Sequence, residues 1–120
     1  MKKNAIDNPR YPHYIRIVRK IVDDWLSNEE SQEQEIVVYE GAGRSYTDTT
    51  TTGDSKVDTN KRKMSIPMRF DEWKDPVPMS GDIAYITKGD ITEEWEVRDF
   101  EPDNNRSVVY GEFNRNLNIE

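Results

Sequence analysis

Between Met64 and Phe113 the chain lays down short strand patterns one after another, each closed by a turn signal. That series restricts the fold to a small antiparallel β-unit. Met64, Ile66, Met68 and Phe70 alternate with Ser65, Pro67 and Arg69, which puts four apolar side chains on one face of a first strand. Pro78, Ser80, Gly81 and Asp82 lead into a second strand, Ile83 to Thr87. Trp95 to Phe100 supplies the third, and Ser107 to Phe113 the fourth, across a turn of Pro102, Asp103, Asn104 and Asn105.

A chain of 120 residues has room for one modest core. This one has little to fill it. Apolar residues make up 33% of the sequence, a figure unchanged when the six Gly are counted in place of the six Tyr, against roughly 45–50% in ordinary soluble domains. Such a core calls for neighbours to support it. Two Leu stand against nineteen Ile and Val, and β-branched side chains favour a pleated surface. The expected fold class is therefore mainly β.

The N-terminal part reads differently. Residues 1 to 13, with Pro9 and Pro12, predict an extended arm. Tyr14, Ile17, Val18, Ile21, Val22 and Trp25 then recur at spacings of three and four, which predicts one amphipathic helix over residues 14–26. Its bases come first and its acids last, the reverse of what a helix dipole favours. Ser27 to Glu35 is an acidic linker, and Ile36 to Tyr39 a short strand ended by Gly41 and Gly43. A polar, Thr-rich segment over 41–62 predicts a long loop or an exposed hairpin. The expected organisation is an arm over 1–13 and a single β-barrel domain over 14–120.

Charge is unevenly spread. Net charge is −7 overall, composed of +5 over residues 1–20, −7 over 21–40, +2 over 41–63 and −7 over the remainder. An acidic body argues against a reader of duplex DNA, whose affinity rests on neutralising phosphates. The absence of Cys removes disulfides and thiolate metal sites. No apolar run is long enough for a transmembrane helix, and no signal-peptide core follows Met1, so a soluble protein is expected.

Motifs for chemistry fail on inspection. Gly41, Ala42, Gly43, Arg44, Ser45 and Tyr46 begin like a dinucleotide loop, but Tyr46 stands where glycine is needed and no helix pattern follows. Asp54, Asp58 and Asn60 hint at a calcium loop that Lys56 interrupts and no Glu closes. His13, the sole histidine, has neither a Cys nor a second His to work with. The expectation is a protein without enzyme activity, metal or cofactor. Trp73 reads equally as a lid over the β-core or as an interface anchor, and Lys61, Arg62 and Lys63 form a basic cluster suited to an acidic partner.

The order of features resembles the small β-barrel head-closure, or stopper, and connector ring proteins of tailed bacteriophages, and the N-terminal arm and helix resemble attachments used by ring proteins of crAss-like and related phages. The residues that carry it are Met64 to Phe70, then Pro76, Pro78, Gly81 and Asp82, then Ile83 to Thr87, Gly89, and Trp95, Glu96 and Val97. The resemblance implies an SH3-like, head-closure-like barrel and a homo-oligomeric ring, commonly of twelve copies. It also implies a place in the virion between portal and tail, around a DNA channel that binds no particular sequence, after synthesis in the host cytoplasm. Subunit contacts are then expected from Lys2, Lys3, Arg10 and Tyr11 in the arm, and from Arg44, Tyr46, Lys56, Lys61 and Arg62 in the loop. Pro67, which cannot donate to a ladder and so marks an edge strand, and Trp73 complete the set. A different class remains open, an SH3-like or OB-like module for single-stranded nucleic acid, as does an adaptor that pairs a peptide along an exposed sheet edge.

Overall fold

The computed structural model describes residues 10–23, 32–47 and 61–113. Within them lie six strands: β1 His13–Asp23, β2 Gln32–Thr47, β3 Lys61–Ile66, β4 Ile83–Lys88, β5 Ile91–Pro102 and β6 Ser107–Phe113. They close into an antiparallel barrel in the order β1-β2-β3-β6-β5-β4. Two three-strand meanders, β1-β2-β3 and β4-β5-β6, are thus joined along both edges, by β1 to β4 and by β3 to β6.

The interior holds Ile15 and Ile17 of β1, Met64 and Ile66 of β3, Ala84 and Ile86 of β4, Trp95 and Val97 of β5, and Val109 of β6. Opposite β1, strand β2 sends Gly43 and Ser45 inward, both buried. The wall is thin there for a reason. A Cβ on Gly43 would stand 2.3 Å from Ile15 Cδ1 and 3.2 Å from the Ser65 carbonyl oxygen, so only glycine leaves room for the isoleucine.

The predicted helix over 14–26 is corrected: its described residues belong to β1, and no α-helix occurs among the described residues. Inward-facing Ile15 and Ile17 and the fully buried Val18 mimic helical spacing because Val18 lies between β2 and β4, paired with Val37 and Ile83. The charge order that opposed a helix dipole loses its cost in a strand, whose net dipole is small. Val38 is skipped in the register between Ile17 and Val18, a β-bulge that bends β2.

Other boundaries shift as well. Gly41 and Gly43 do not end a short strand but lie within β2, and the long loop over 41–62 shrinks from both ends, since β2 runs to Thr47 and β3 begins at Lys61. Thr47 pairs with Arg62; residues 48–60, with the Thr run, lie outside the described residues. The first barrel strand stops at Ile66, leaving Pro67 to Phe70 beyond it. The linker over Ser27 to Glu35 gives up Gln32 to Glu35 to β2, and the arm gives up His13 to β1.

One end of the barrel is covered by the segment between β3 and β4. Trp73 stacks edge-on to Phe100, with ring centroids 5.0 Å apart, and lies tilted on Tyr39 at 5.7 Å. Its indole N–H donates to Ser107 Oγ at 2.8 Å, which donates in turn to the Met68 carbonyl at 2.7 Å. Trp73 is therefore the lid. The segment's return into β4 turns at Gly81, where φ is +100°, a conformation glycine adopts without strain. Asp82, 2% exposed, accepts from the Met79 amide at 3.0 Å and takes a fork from Arg19, Nε to Oδ1 at 2.9 Å and an Nη to Oδ2 at 3.0 Å. A third guanidinium contact, from the same Nη to the Val77 carbonyl at 2.6 Å, ties β1 to the same turn.

Candidate functional site

Pairing of β1 with β4 ends at Val18, whereas its pairing with β2 continues to Asp23. Likewise β2 meets β3 only over Arg44 to Thr47. The distal parts of β1 and β2 consequently leave the barrel as a two-stranded ribbon. On it Ile21, Ile36 and Val37 are 40%, 37% and 42% exposed, and each strand carries a ladder on one side alone among the described pairings. The free sheet edge predicted at Pro67 is corrected accordingly. β3 is paired on both sides, by β2 and β6, and Pro67 is an exposed residue just past its end.

Four of the residues expected at an interface do converge. Arg10 and Tyr11, from the segment before β1, and Arg44 and Tyr46, from the outer face of β2, line one groove of about 410 Å³ together with Ser65 and Arg106. The β2 pair face outward because Gly43 and Ser45 face in. Arg44 lies over the Tyr46 ring, 5.9 Å from its centroid. Three guanidiniums and two phenols surround this groove, and no carboxylate lines it among the described residues. Glu40, farther along β2, accepts a hydrogen bond from the Tyr14 hydroxyl. Arg106 escaped sequence reasoning because it sits in the β5–β6 turn, far in the chain from β2. The register that brings β6 beside β3, and β3 beside β2, is what recruits it.

The remaining expected residues are scattered. Lys2, Lys3 and Lys56 lie outside the described residues. Arg62 points to the barrel rim, 5.1 Å over the Trp95 ring and 3.9 Å from Glu93, and donates to Thr47 Oγ1 at 3.4 Å. Lys61 lines a separate shallow cleft with Arg98, Asp99, Tyr110, Gly111 and Glu112. Trp73 packs inward as described, and Pro67 is solvent-exposed.

The rim beside Arg62 is an electrostatic cluster. Glu93 accepts from the Trp95 indole at 3.0 Å and pairs with Lys88 at 3.4 Å. Burial alone would raise its carboxyl, but the Trp95 N–H, Lys88 and Arg62 together hold it below the usual carboxylate range. His13 Nδ1 accepts from the Ser45 amide at 3.0 Å. Burial, with Lys88 and the nearby arginines outweighing Glu93, pushes the imidazole below its ordinary 6.5. Neutral His13 is thus a structural acceptor that closes the β1–β2 corner. Among the described residues no group of three or more His, Asp or Glu is gathered closely enough to hold a metal ion.

No family model, curated protein or solved structure matches this chain.

Proposed function

We propose that this chain is a structural protein of a tailed-phage virion, one copy of a ring in the head–tail connector that joins portal to tail around the DNA channel. The observation that carries the reading is the ribbon. A lean barrel that places Ile21, Ile36 and Val37 on a projecting two-stranded ribbon, paired on one side alone among the described residues, leaves apolar area and backbone donors to be covered by another chain. The resemblance supplies the setting, and the barrel class agrees with it. Sizing of the purified protein at micromolar concentration, with peptide mass spectrometry of purified virions, tests the proposal. Association into a discrete ring-sized species and presence in particles are the expected results. A monodisperse monomer that is absent from particles refutes it.

A second reading has its own observation. The groove of Arg10, Arg44 and Arg106 with Tyr11 and Tyr46 combines cations with stacking rings, the composition used for single-stranded nucleic acid. Fluorescence anisotropy with a labelled oligonucleotide tests it, and binding that falls steeply with salt is the expected signature.

A further inference from the structure

Resting on the ring reading, we infer that the arginine–tyrosine groove at β2 receives the acidic outer face of β5 from a second copy of this chain. Directly paired residues of an antiparallel sheet share a face, and alternation fixes which one. On β5, Trp95 and Val97 are buried, so Glu94 and Glu96 face outward. Beyond them the register slips at Arg98 and Phe100 turns inward, which keeps Asp99 and Glu101 outward and exposed. Arg98 is the one base in this stretch, and it is already engaged by Glu96 at 3.6 Å and Glu112 at 2.8 Å. The β5 face is therefore acidic along its length, and the β2 groove is lined by cations without a carboxylate among the described residues.

The barrel order decides where these two faces lie. In the closed sequence β1-β2-β3-β6-β5-β4, strands β2 and β5 are three steps apart in either direction, which is half the circumference. Opposite charge on opposite sides makes a head-to-tail contact, in which one patch meets a different patch of the next copy. Each such contact in a ring of n copies turns the chain through 360°/n, so large rings need contact faces nearly opposed; by strand order Arg44 on β2 and Glu101 on β5 meet this, while the groove's other wall reaches to Arg106 in the β5–β6 turn. Guanidinium forks meet carboxylates in paired hydrogen bonds, and the half-exposed Tyr46 beside Arg44 offers the aromatic contact that interfaces favour.

Charge reversal tests the pairing on the full chain. Arg44→Glu and Glu101→Arg both change exposed side chains, and thermal unfolding followed by circular dichroism verifies that each variant folds. Association is measured by sedimentation velocity over a micromolar concentration series at low and high salt. Wild-type protein is expected to associate, less so at high salt. Each variant alone is expected to associate at least about tenfold more weakly. An equimolar mixture of the two is expected to recover association, because each altered face then meets its complement. Wild-type association that neither variant changes, or a mixture no better than its parts, overturns this interface while leaving the ring reading standing. A wild-type monomer at every concentration overturns this interface, and only together with absence from particles does it remove the ring reading as well. A labelled oligo-dT that binds the wild type and not Arg44→Glu, with self-association the same in both, assigns the groove to nucleic acid and overturns the proposal.

Discussion

Gly43→Ala is the substitution for which the structure makes the sharpest demand. The new Cβ would lie 2.3 Å from Ile15 Cδ1 and 3.1 Å from Ile15 Cγ1, with the Ser65 carbonyl oxygen 3.2 Å away. Ordinary contact begins about 3.4–4 Å apart, so Ile15 must retreat by more than about 1 Å or β2 must separate from β3. Ile15 is fully buried among the core residues, so any retreat must displace a packed neighbour. Overpacking of this kind costs about 1–3 kcal/mol. Replacing glycine also narrows the unfolded ensemble, which returns about 0.4–1 kcal/mol, so the net expected loss is about 1–2 kcal/mol. Ile15→Val deletes the clashing Cδ1 and by itself costs about 0.5–1.5 kcal/mol. In the double variant the two effects should not add. The pair should be more stable than the sum of the single losses predicts by about 1 kcal/mol or more. Urea unfolding followed by tryptophan fluorescence measures all four corners of the cycle. Additivity within about 0.5 kcal/mol, or a Gly43→Ala protein as stable as wild type, would refute the claim that Gly43 is required by the approach of Ile15.

Other expectations concern the turn, the rim and the lid. Arg19→Met leaves the Asp82 carboxylate, 2% exposed, with the Met79 amide as the partner it keeps among the described residues; the expected loss is about 3 kcal/mol. Asp82→Ala in the same background should add less than it does in wild type, as a double-mutant cycle by urea unfolding will read. For His13, whose folded value lies below 6.5, the unfolded chain takes up the proton first as pH falls. Stability should therefore be flat above about pH 7, decline as pH drops through the unfolded value near 6.5, and level off below the folded value. His13→Gln, which retains an acceptor but cannot titrate, should abolish the change between pH 7.5 and 5.5 in urea midpoints. The Glu93 contribution sits in a lower window. Its folded value is depressed, so its stabilisation is present above the unfolded value of about 4.5 and is lost as pH falls through the folded one. Trp73→Phe keeps a ring on Tyr39 and Phe100 and loses the bond to Ser107, for about 1 kcal/mol. Trp73→Ala should cost about 3 kcal/mol, and equal losses in the two variants would contradict a lid held by packing.

How far the sequence discloses this fold depends on the element. The strands at Ile83 and Ser107 are legible because alternation and turn residues agree there, and β4 and β6 lie where those signals place them, whereas β5 runs from Ile91 to Pro102, beyond the expected Trp95 to Phe100 at both ends and into the expected turn. The role of Gly81 and Asp82 was legible too, since a turn needing positive φ and a carboxylate accepting nearby amides are local chemistry. β1 reads as a helix because Val18 is fully buried although it alternates with Ile15 and Ile17 and stands apart from the core cluster that holds them. Two faces superimposed on one strand imitate a helical stripe. The run of Ile and Val at 15, 17, 18, 21 and 22 was the competing β signal, and the ill-placed charges were another. Gly43 reads as punctuation after Tyr39, although glycine inside a strand also marks close approach. Of the groove, Arg10, Tyr11, Arg44 and Tyr46 are among the residues the resemblance implies for contacts, but their convergence with Arg106 depends on barrel closure, which no local pattern encodes.

Closure also separates what folds this chain from what it offers to others. The inward set, from Ile15 to Val109, is consumed by the barrel, and Trp73 seals one end with its N–H already committed to Ser107. Substitutions there act on the folded fraction and reach assembly only through it. The ribbon residues Ile21, Ile36 and Val37 and the opposed charges of β2 and β5 lie outside that set. In a domain of ordinary stability, about 5–15 kcal/mol, exposed charges such as Arg44 and Glu101 shift unfolding by a few tenths of a kcal/mol. In the proposed interface, their role is to set which copy can approach which face. Core and surface variants should therefore fall into two groups: the first moves the urea midpoint at every protein concentration, and the second moves the concentration at which copies associate while leaving the monomer's midpoint in place.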